Sequence, residues 1–339
     1  MASSYSNIHP VDEILTSLVS EVIPSDAQLI ASQVFENVKV PERSGTFLLE
    51  NTRNFMGSPE LDLERAPGAG RANIGSFDRT SLTFKAKIYS AQDSIAMEDI
   101  IDSQYPGSEE QRIARKVRRT MMLAKEKRAA DLLFDTASFS NDTCTNVMGG
   151  QVDAAGTDAL TGLDKLKDLV FAAAHGINPD TIILGRGVAR ALARNPEFRS
   201  YLSVGDFTGA GVGIASGGSL VLNDSAVQAI IRDVLNIPNV YVGQARRETA
   251  VPGATSSEAQ IWNDETIFCG ILKGSDAIVQ KSGNVKGMPV AALNFDFGNM
   301  VAGQYDALDA TRRYVYAEEV QQYKAIDSTL GYIVTNCLA

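Results

Sequence analysis

Two histidines, three cysteines and scattered carboxylates are the raw material for chemistry in this chain of 339 residues. A Ser-His-Asp arrangement would have to use His9, near the N-terminus, or His175, beside the helix-ending Gly176. Neither is flanked by the G-x-S-x-G turn that presents a nucleophilic serine. A helix C-terminus tolerates positive charge, so His175 reads as a structural residue. Cys144, Cys269 and Cys337 are odd in number and far apart, which argues for a reducing compartment and against a disulfide framework or a zinc knuckle. The phosphate-cradling G-x-x-x-x-G-K-[ST] is absent, as are H-E-x-x-H and calcium loops. A glycine patch from Gly209 to Gly218 misses the dinucleotide spacing, because Ile214 and Ser216 stand where the last glycine is needed. It reads as a surface loop. The expectation is therefore a protein that is not an enzyme, with no catalytic, cofactor-binding or metal-binding residues and no cofactor.

Charge is more informative. The net formal charge is −10, from 41 acidic against 31 basic residues, so wrapping nucleic acid by bulk charge is not expected. Yet eight basic residues lie between Arg112 and Arg128, against the single acid Glu126. They sit in "GSEEQRIARKVRRTMMLAKEKRAADLLFD", which carries a helix start at Ser108 with Glu109 and Glu110 in the first turn. Run to Leu133, the helix is about 38 Å long. At helical spacing Ile113, Val117, Met121, Ala124 and Leu132 form one face, and Arg112, Arg115, Lys116, Arg119 and Lys127 the opposite one. Arg128 falls in the apolar sector. The basic stripe reads either as a solvated face or as a surface meeting nucleic acid or an acidic neighbour.

Ahead of this helix the chain is extended. "HPVDEILTSLVSEVIP" places Ile14, Leu15, Leu18, Val19 and Val22 at helical spacing between Pro10 and Pro24, an arm whose apolar stripe needs a partner on its own domain or on a neighbouring subunit. "GTFLLENTRNF" puts Phe47, Leu49 and Phe55 on one face of a strand. In "SLTFKAKIY", Leu82, Phe84, Ala86 and Ile88 alternate with polar neighbours. The connection from Met56 to Thr80 is far longer than a hairpin needs and is rich in glycine.

Beyond Gly150 helices and strands alternate: "DALTGLDKLKDLVFAAAHG", "DTIILG", "GVARALARNPEF", "SAVQAIIRDVLNIP", "NVYVGQA". "QIWNDETIFCGIL" reads as one strand with Trp262 in its core-facing set, and the last third is mostly strand. The class is α+β. No apolar run approaches the roughly 18 residues that span a bilayer. A basic segment leading into an apolar run is also missing at the N-terminus, so a cleaved secretion signal is not expected.

The order of these features resembles the major capsid proteins of tailed bacteriophages, the Hong Kong 97-type fold, and is most similar to the branch with lambda-type chains. "RAPGAG" (65–70), "NPDTIILGRGVARALARNPEF" (178–198) and "NVYVGQARRE" through "QIWNDETIFCGIL" carry the likeness, which covers essentially the whole chain. The resemblance implies an N-terminal arm over 1–40 and an extended E-loop hairpin over 41–91. It further implies a peripheral (P) domain with a spine helix over 92–149, a compact axial (A) domain over 150–305, and strands over 306–339 returning to the P-domain. Arg65, Pro67, Gly68, Gly70 and Arg71 would lie over an adjacent subunit. Arg246, Arg247, Pro252 and Gly253 would meet their copies at a capsomer centre.

By the same resemblance the function is self-assembly into hexamers and pentamers of an icosahedral head around double-stranded DNA, which the shell contacts weakly. Partners would be many copies of itself, a separate scaffolding protein, a portal and a decoration protein, with no membrane involved. Assembly would occur in the host bacterial cytoplasm and the product would be the virion. Two alternatives remain open: an encapsulin-type nanocompartment shell with the same fold, and an α+β enzyme with a lid at Met56 to Thr80.

Overall fold

The strand Thr181–Gly185 is buried at every position, so it needs apolar cover on both faces. The computed structural model shows where that cover comes from. It describes residues 28–50, 79–102, 108–154, 156–199, 213–214, 220–221, 223–251, 254–273, 278–279, 285–286, 290–309 and 311–339. The arm up to residue 27, Phe55, the hairpin tip with Arg65, Pro67, Gly68, Gly70 and Arg71, the pair Pro252 and Gly253, and most of the glycine patch lie outside the described residues.

In chain order the principal elements are α1 (Ala31–Val34), β1 (Asn37–Lys39), β2 (Ser44–Glu50), β3 (Arg79–Lys85), β4 (Lys87–Ala96), α2 (Met97–Asp102) and α3 (Ser108–Leu133). Then follow β5 (Ser140–Thr143), α4 (Cys144–Met148), α5 (Ala159–Ala173), β6 (Thr181–Gly185), α6 (Arg186–Arg194), α7 (Asp224–Leu235) and β7 (Asn239–Gly243). The last are β8 (Arg246–Glu248), β9 (Glu258–Gln260), β10 (Ile267–Gly270), β11 (Ala292–Asp296), β12 (Val301–Asp306), β13 (Arg312–Ala325) and β14 (Gly331–Thr335).

Two five-stranded sheets organise the molecule. One runs β5-β14-β10-β6-β7 and mixes parallel and antiparallel pairs. Its strands alternate between two cores. Ile182, Leu184, Ile267, Cys269 and Val334 face α4 to α7, while Ile183, Phe268 and Ile333 face Trp262, α1 and the end of α3. That double cover is why β6 reads as an unbroken apolar run. The other sheet centres on β13, a strand of 14 residues. β4 pairs along one side of it; β12 and β11 follow one another along the other, and β1 adds in parallel to β11.

Helix α3 bridges the two sheets. Its first half sets Ile113, Ala114, Val117 and Met121 on Ile95, Ala302, Val315 and Ala317. Its second half sends Ala129, Ala130 and Leu133 into the core beneath the mixed sheet. Its 26 residues match the predicted helix, but Ala124 is exposed rather than core-facing.

Two local readings change and one holds. The run 81–91 is two strands, because the chain breaks at the buried Ala86 and passes from the small β2–β3 sheet into the β13 sheet. Ile88, expected inside, is consequently exposed. "QIWNDETIFCGIL" is two strands joined by a turn, with Trp262 in a bend between them; it is fully buried there and packs edge-on to Phe134. Gly243 makes room for it, since a Cβ there would come within 2.4 Å of the Trp262 ring. At the end of α5, His175 takes a left-handed conformation (φ 55°) and Gly176 N–H closes onto the Phe171 carbonyl at 2.8 Å, so His175 belongs to a helix stop.

Candidate assembly interface

The residue that ties the pieces together is Glu126, the lone acid of the basic run. Its carboxylate is buried and accepts three hydrogen bonds, from Ile30 N and Ala31 N at 2.9 Å each and from Trp262 Nε1 at 2.7 Å. Sequence spacing could not find these partners, which lie about a hundred residues away on either side. Leu29, Ile30, Ala31, Val34 and Phe35 then pack into the core. The chain leaving the N-terminal arm is thus clamped to the long helix before it enters β1. Burial pushes the Glu126 carboxyl above its usual range, and the three N–H donors oppose that shift.

Two residues on, Arg128 resolves its misfit position. Its guanidinium pairs with the buried Glu319 at 2.6 Å and lies 3.7 Å over the Tyr89 ring. Lys125 is 3.9 Å from the same carboxylate, and Gln321 donates to it at 2.9 Å. Glu319 did carry a signal: Val315, Ala317, Glu319 and Gln321 are the inward positions of β13 at period two. Here too burial raises the carboxyl and the two cations lower it.

The predicted basic stripe on α3 faces solvent, interleaved with acids from its own chain. Arg112 pairs with Glu109 and Lys116 with Asp93, both at 2.6 Å, while Lys127 pairs with Asp131. Arg115 and Arg119 are exposed. Exposed pairs of this kind contribute little to stability and leave the surface able to exchange partners. The structure adds a second stripe that was not singled out from the sequence. Arg186, Arg190 and Arg194 recur every four residues along α6, and among the described residues none of the three is in an ion pair. Their spacing was the available signal.

Strands β2 and β3 pair only with each other and belong to neither large sheet. Phe47 and Phe84 anchor their base on Phe295, with ring centroids at 5.4 and 4.7 Å. Lys85 N–H reaches Gln322 at 2.7 Å and Lys324 bonds the Thr83 carbonyl. Away from those two rings the hairpin's described side chains are exposed or half-buried. An isolated two-stranded ribbon is marginal in water, so these strands gain from a further surface.

Arg246 and Arg247 lie on the β8–β9 ribbon, where Arg246 pairs with Glu258 at 3.1 Å. The loop beyond is organised by Glu248. Its carboxylate accepts from Ser257 N at 2.7 Å, Ala250 N at 2.9 Å and Thr249 N at 3.1 Å, and from the Ser256 hydroxyl. These donors, led by the hydroxyl, hold the carboxyl at about 2. Because the folded value is depressed, the loop's order is full above the ordinary glutamate range and is lost as pH falls towards 2. The protection of amides 249–251 and 256–257, each measured against its intrinsic exchange rate at the same pH, should fall over that interval. Glu248→Gln should show the faster exchange at neutral pH, and a pH-independent loop would refute the role given to Glu248.

Among the described residues no group of three His, Cys, Asp or Glu side chains could hold a metal, and no helix is long and apolar enough to cross a membrane.

No protein-family model matches the chain. In sequence it is 20% identical over 259 residues to the major capsid protein of Pseudomonas phage JBD67, covering 76% of each chain. In structure it is similar to a phage-related protein from Bordetella bronchiseptica RB50, with a TM-score of 0.66 and 17% identity over 97% of this chain and 98% of that one. It is also similar to the capsid of a native GTA particle, with a TM-score of 0.54 and 13% identity over 94% and 92%. A virus-like particle from Pyrococcus furiosus gives a TM-score of 0.54 at 8% identity over 95% and 98%. The chain is a mixed α+β protein with the phage capsid-protein fold that its sequence resembles, and its curated sequence relative is a phage major capsid protein.

Proposed function

We propose that this chain is a major capsid protein, whose copies assemble into hexamers and pentamers of an icosahedral head around double-stranded DNA. The observation that carries the reading is the sequence relationship to a phage major capsid protein across three quarters of both chains. The chain's fold also follows that of a GTA-particle capsid nearly end to end. The β2–β3 ribbon supports it: a hairpin anchored by two phenylalanines at its base is completed by lying on a sister molecule, as an E-loop does. In this reading 1–40 is the arm, 41–91 the E-loop, 92–149 and 306–339 the P-domain and 150–305 the A-domain. Arg246 and Arg247 face a capsomer axis, and the α3 stripe faces the interior or a neighbour's acidic arm. Scaffolding, portal and decoration proteins are separate chains, and assembly takes place in the bacterial cytoplasm. The acidic net charge suits a container that must not hold its polyanionic contents tightly.

Negative-stain microscopy of the chain expressed with its phage's scaffolding protein is the test. Closed shells of uniform diameter are expected. A chain that stays monomeric or dimeric would overturn the reading, and shells that co-purify with an enzyme cargo and no nucleic acid would replace it by a nanocompartment.

A further inference from the structure

Two of the three cysteines meet in the interior. β5 pairs in parallel with β14, with Thr143 opposite Thr335. That register sets Cys144, the first residue of α4, beside Cys337 just after β14. Both side chains are buried. The Cys144 thiol donates to the Gly150 carbonyl at 3.3 Å, and Val152 N–H donates to the Cys337 carbonyl at 2.9 Å, so one short segment ties both together. The Cys337 thiol donates to the Val334 carbonyl at 3.6 Å, and the Cys144 sulfur is its neighbour on the other side. A cavity of about 570 Å³ is lined by Val152, whose N–H bonds the Cys337 carbonyl, and by Leu338, the next residue along the chain. A small reagent there is one residue from the fully buried pair.

We propose that Cys144 and Cys337 are a latent intrachain disulfide that closes when the protein meets an oxidising solvent. The two thiols are not equivalent. The neighbouring Cys337 thiol holds Cys144 below its ordinary range, while Cys144 and burial push Cys337 well above. Cys144 is therefore the attacking thiolate. With a low-molecular-weight disulfide as oxidant, the Cys144 sulfur attacks one sulfur of the reagent and expels the other half as a thiolate. That thiolate takes the Cys337 proton. The Cys337 sulfur then attacks Cys144 Sγ and expels the second half, which is protonated by solvent. Two protein thiols and one reagent disulfide become one protein disulfide and two reagent thiols. Cys269 is excluded: it sits on β10 opposite Tyr332, with no second sulfur among the groups that act on it, and burial pushes its thiol up to about 12.

The bond would close a ring of about 190 residues and staple the last strand to α4, a constraint that acts mainly on the unfolded chain. Its setting rests on the shell reading, in which subunits assemble reduced in the cytoplasm and oxidise after release. The chemistry does not rest on it.

The full chain, freed of reductant, is incubated with 2-hydroxyethyl disulfide, quenched in denaturant with a maleimide and digested. Free thiols should fall from three to one per chain, the survivor being Cys269. One tryptic pair should carry the 144–337 link, and the thermal midpoint should rise and return on adding dithiothreitol. In Cys337→Ser the reaction should stop at a mercaptoethanol adduct on Cys144. Three free thiols after treatment, links that involve Cys269 or join two chains, or a Cys337→Ser adduct on Cys269 would each overturn the proposal. A chain that forms the link but never a shell would sink the capsid reading alone.

Discussion

Replacing Glu126 with alanine should lower the stability of the unassembled chain by about 3 kcal/mol. The substitution leaves Ile30 N–H, Ala31 N–H and the Trp262 indole N–H buried with no acceptor. Unmade bonds of buried donors are what make such truncations expensive. Glu126→Gln is the informative companion. It keeps the oxygen that accepts from Ile30 N and Trp262 Nε1 but turns its NH₂ towards the Ala31 N–H, itself a donor, so it should recover only part of the loss. Trp262 is the only tryptophan and touches the substituted residue, so its fluorescence in a urea titration reports unfolding directly. A parent-like midpoint for Glu126→Ala would mean the carboxylate is not the anchor of the N-terminal segment. Loss of that anchor should also reduce shell yield, since the arm then departs from an unclamped root.

The second large effect concerns the ion pair beneath α3. Arg128→Met should cost about 3 kcal/mol, because it leaves Glu319 buried with only Lys125 at 3.9 Å and Gln321 for company. The pair itself is worth less than its rupture. Arg128→Met combined with Glu319→Gln should therefore be more stable than the sum of the single losses predicts, by at least 1 kcal/mol in a double-mutant cycle. Strict additivity would show that the two groups do not sense one another, and the account of Arg128 as a buried partner would fail.

Much of the architecture was legible in the residues. The bounds of α3 follow from Ser108, Glu109, Glu110 and an apolar face at helical period; the stop of α5 follows from Gly176. Period-two alternation marked the run that holds β3 and the start of β4, and strand composition marked β13. What misled was locally ambiguous. "SLTFKAKIY" alternates without interruption, and only pairing with different partners splits it at Ala86. "QIWNDETIFCGIL" has strand composition throughout, and the turn after Trp262 is set by the demand to bury that ring against Gly243 and Phe134.

The sequence by itself determined the α+β class and the order of most helices and strands, because periodicity and caps are properties of neighbouring residues. Only the tertiary structure decided who meets whom: Glu126 with the arm's root and Trp262, Arg128 with Glu319, Cys144 with Cys337. Those encounters join residues from about a hundred to nearly two hundred positions apart. No local preference encodes such a contact, since it depends on the register of two sheets and on the helix that spans them.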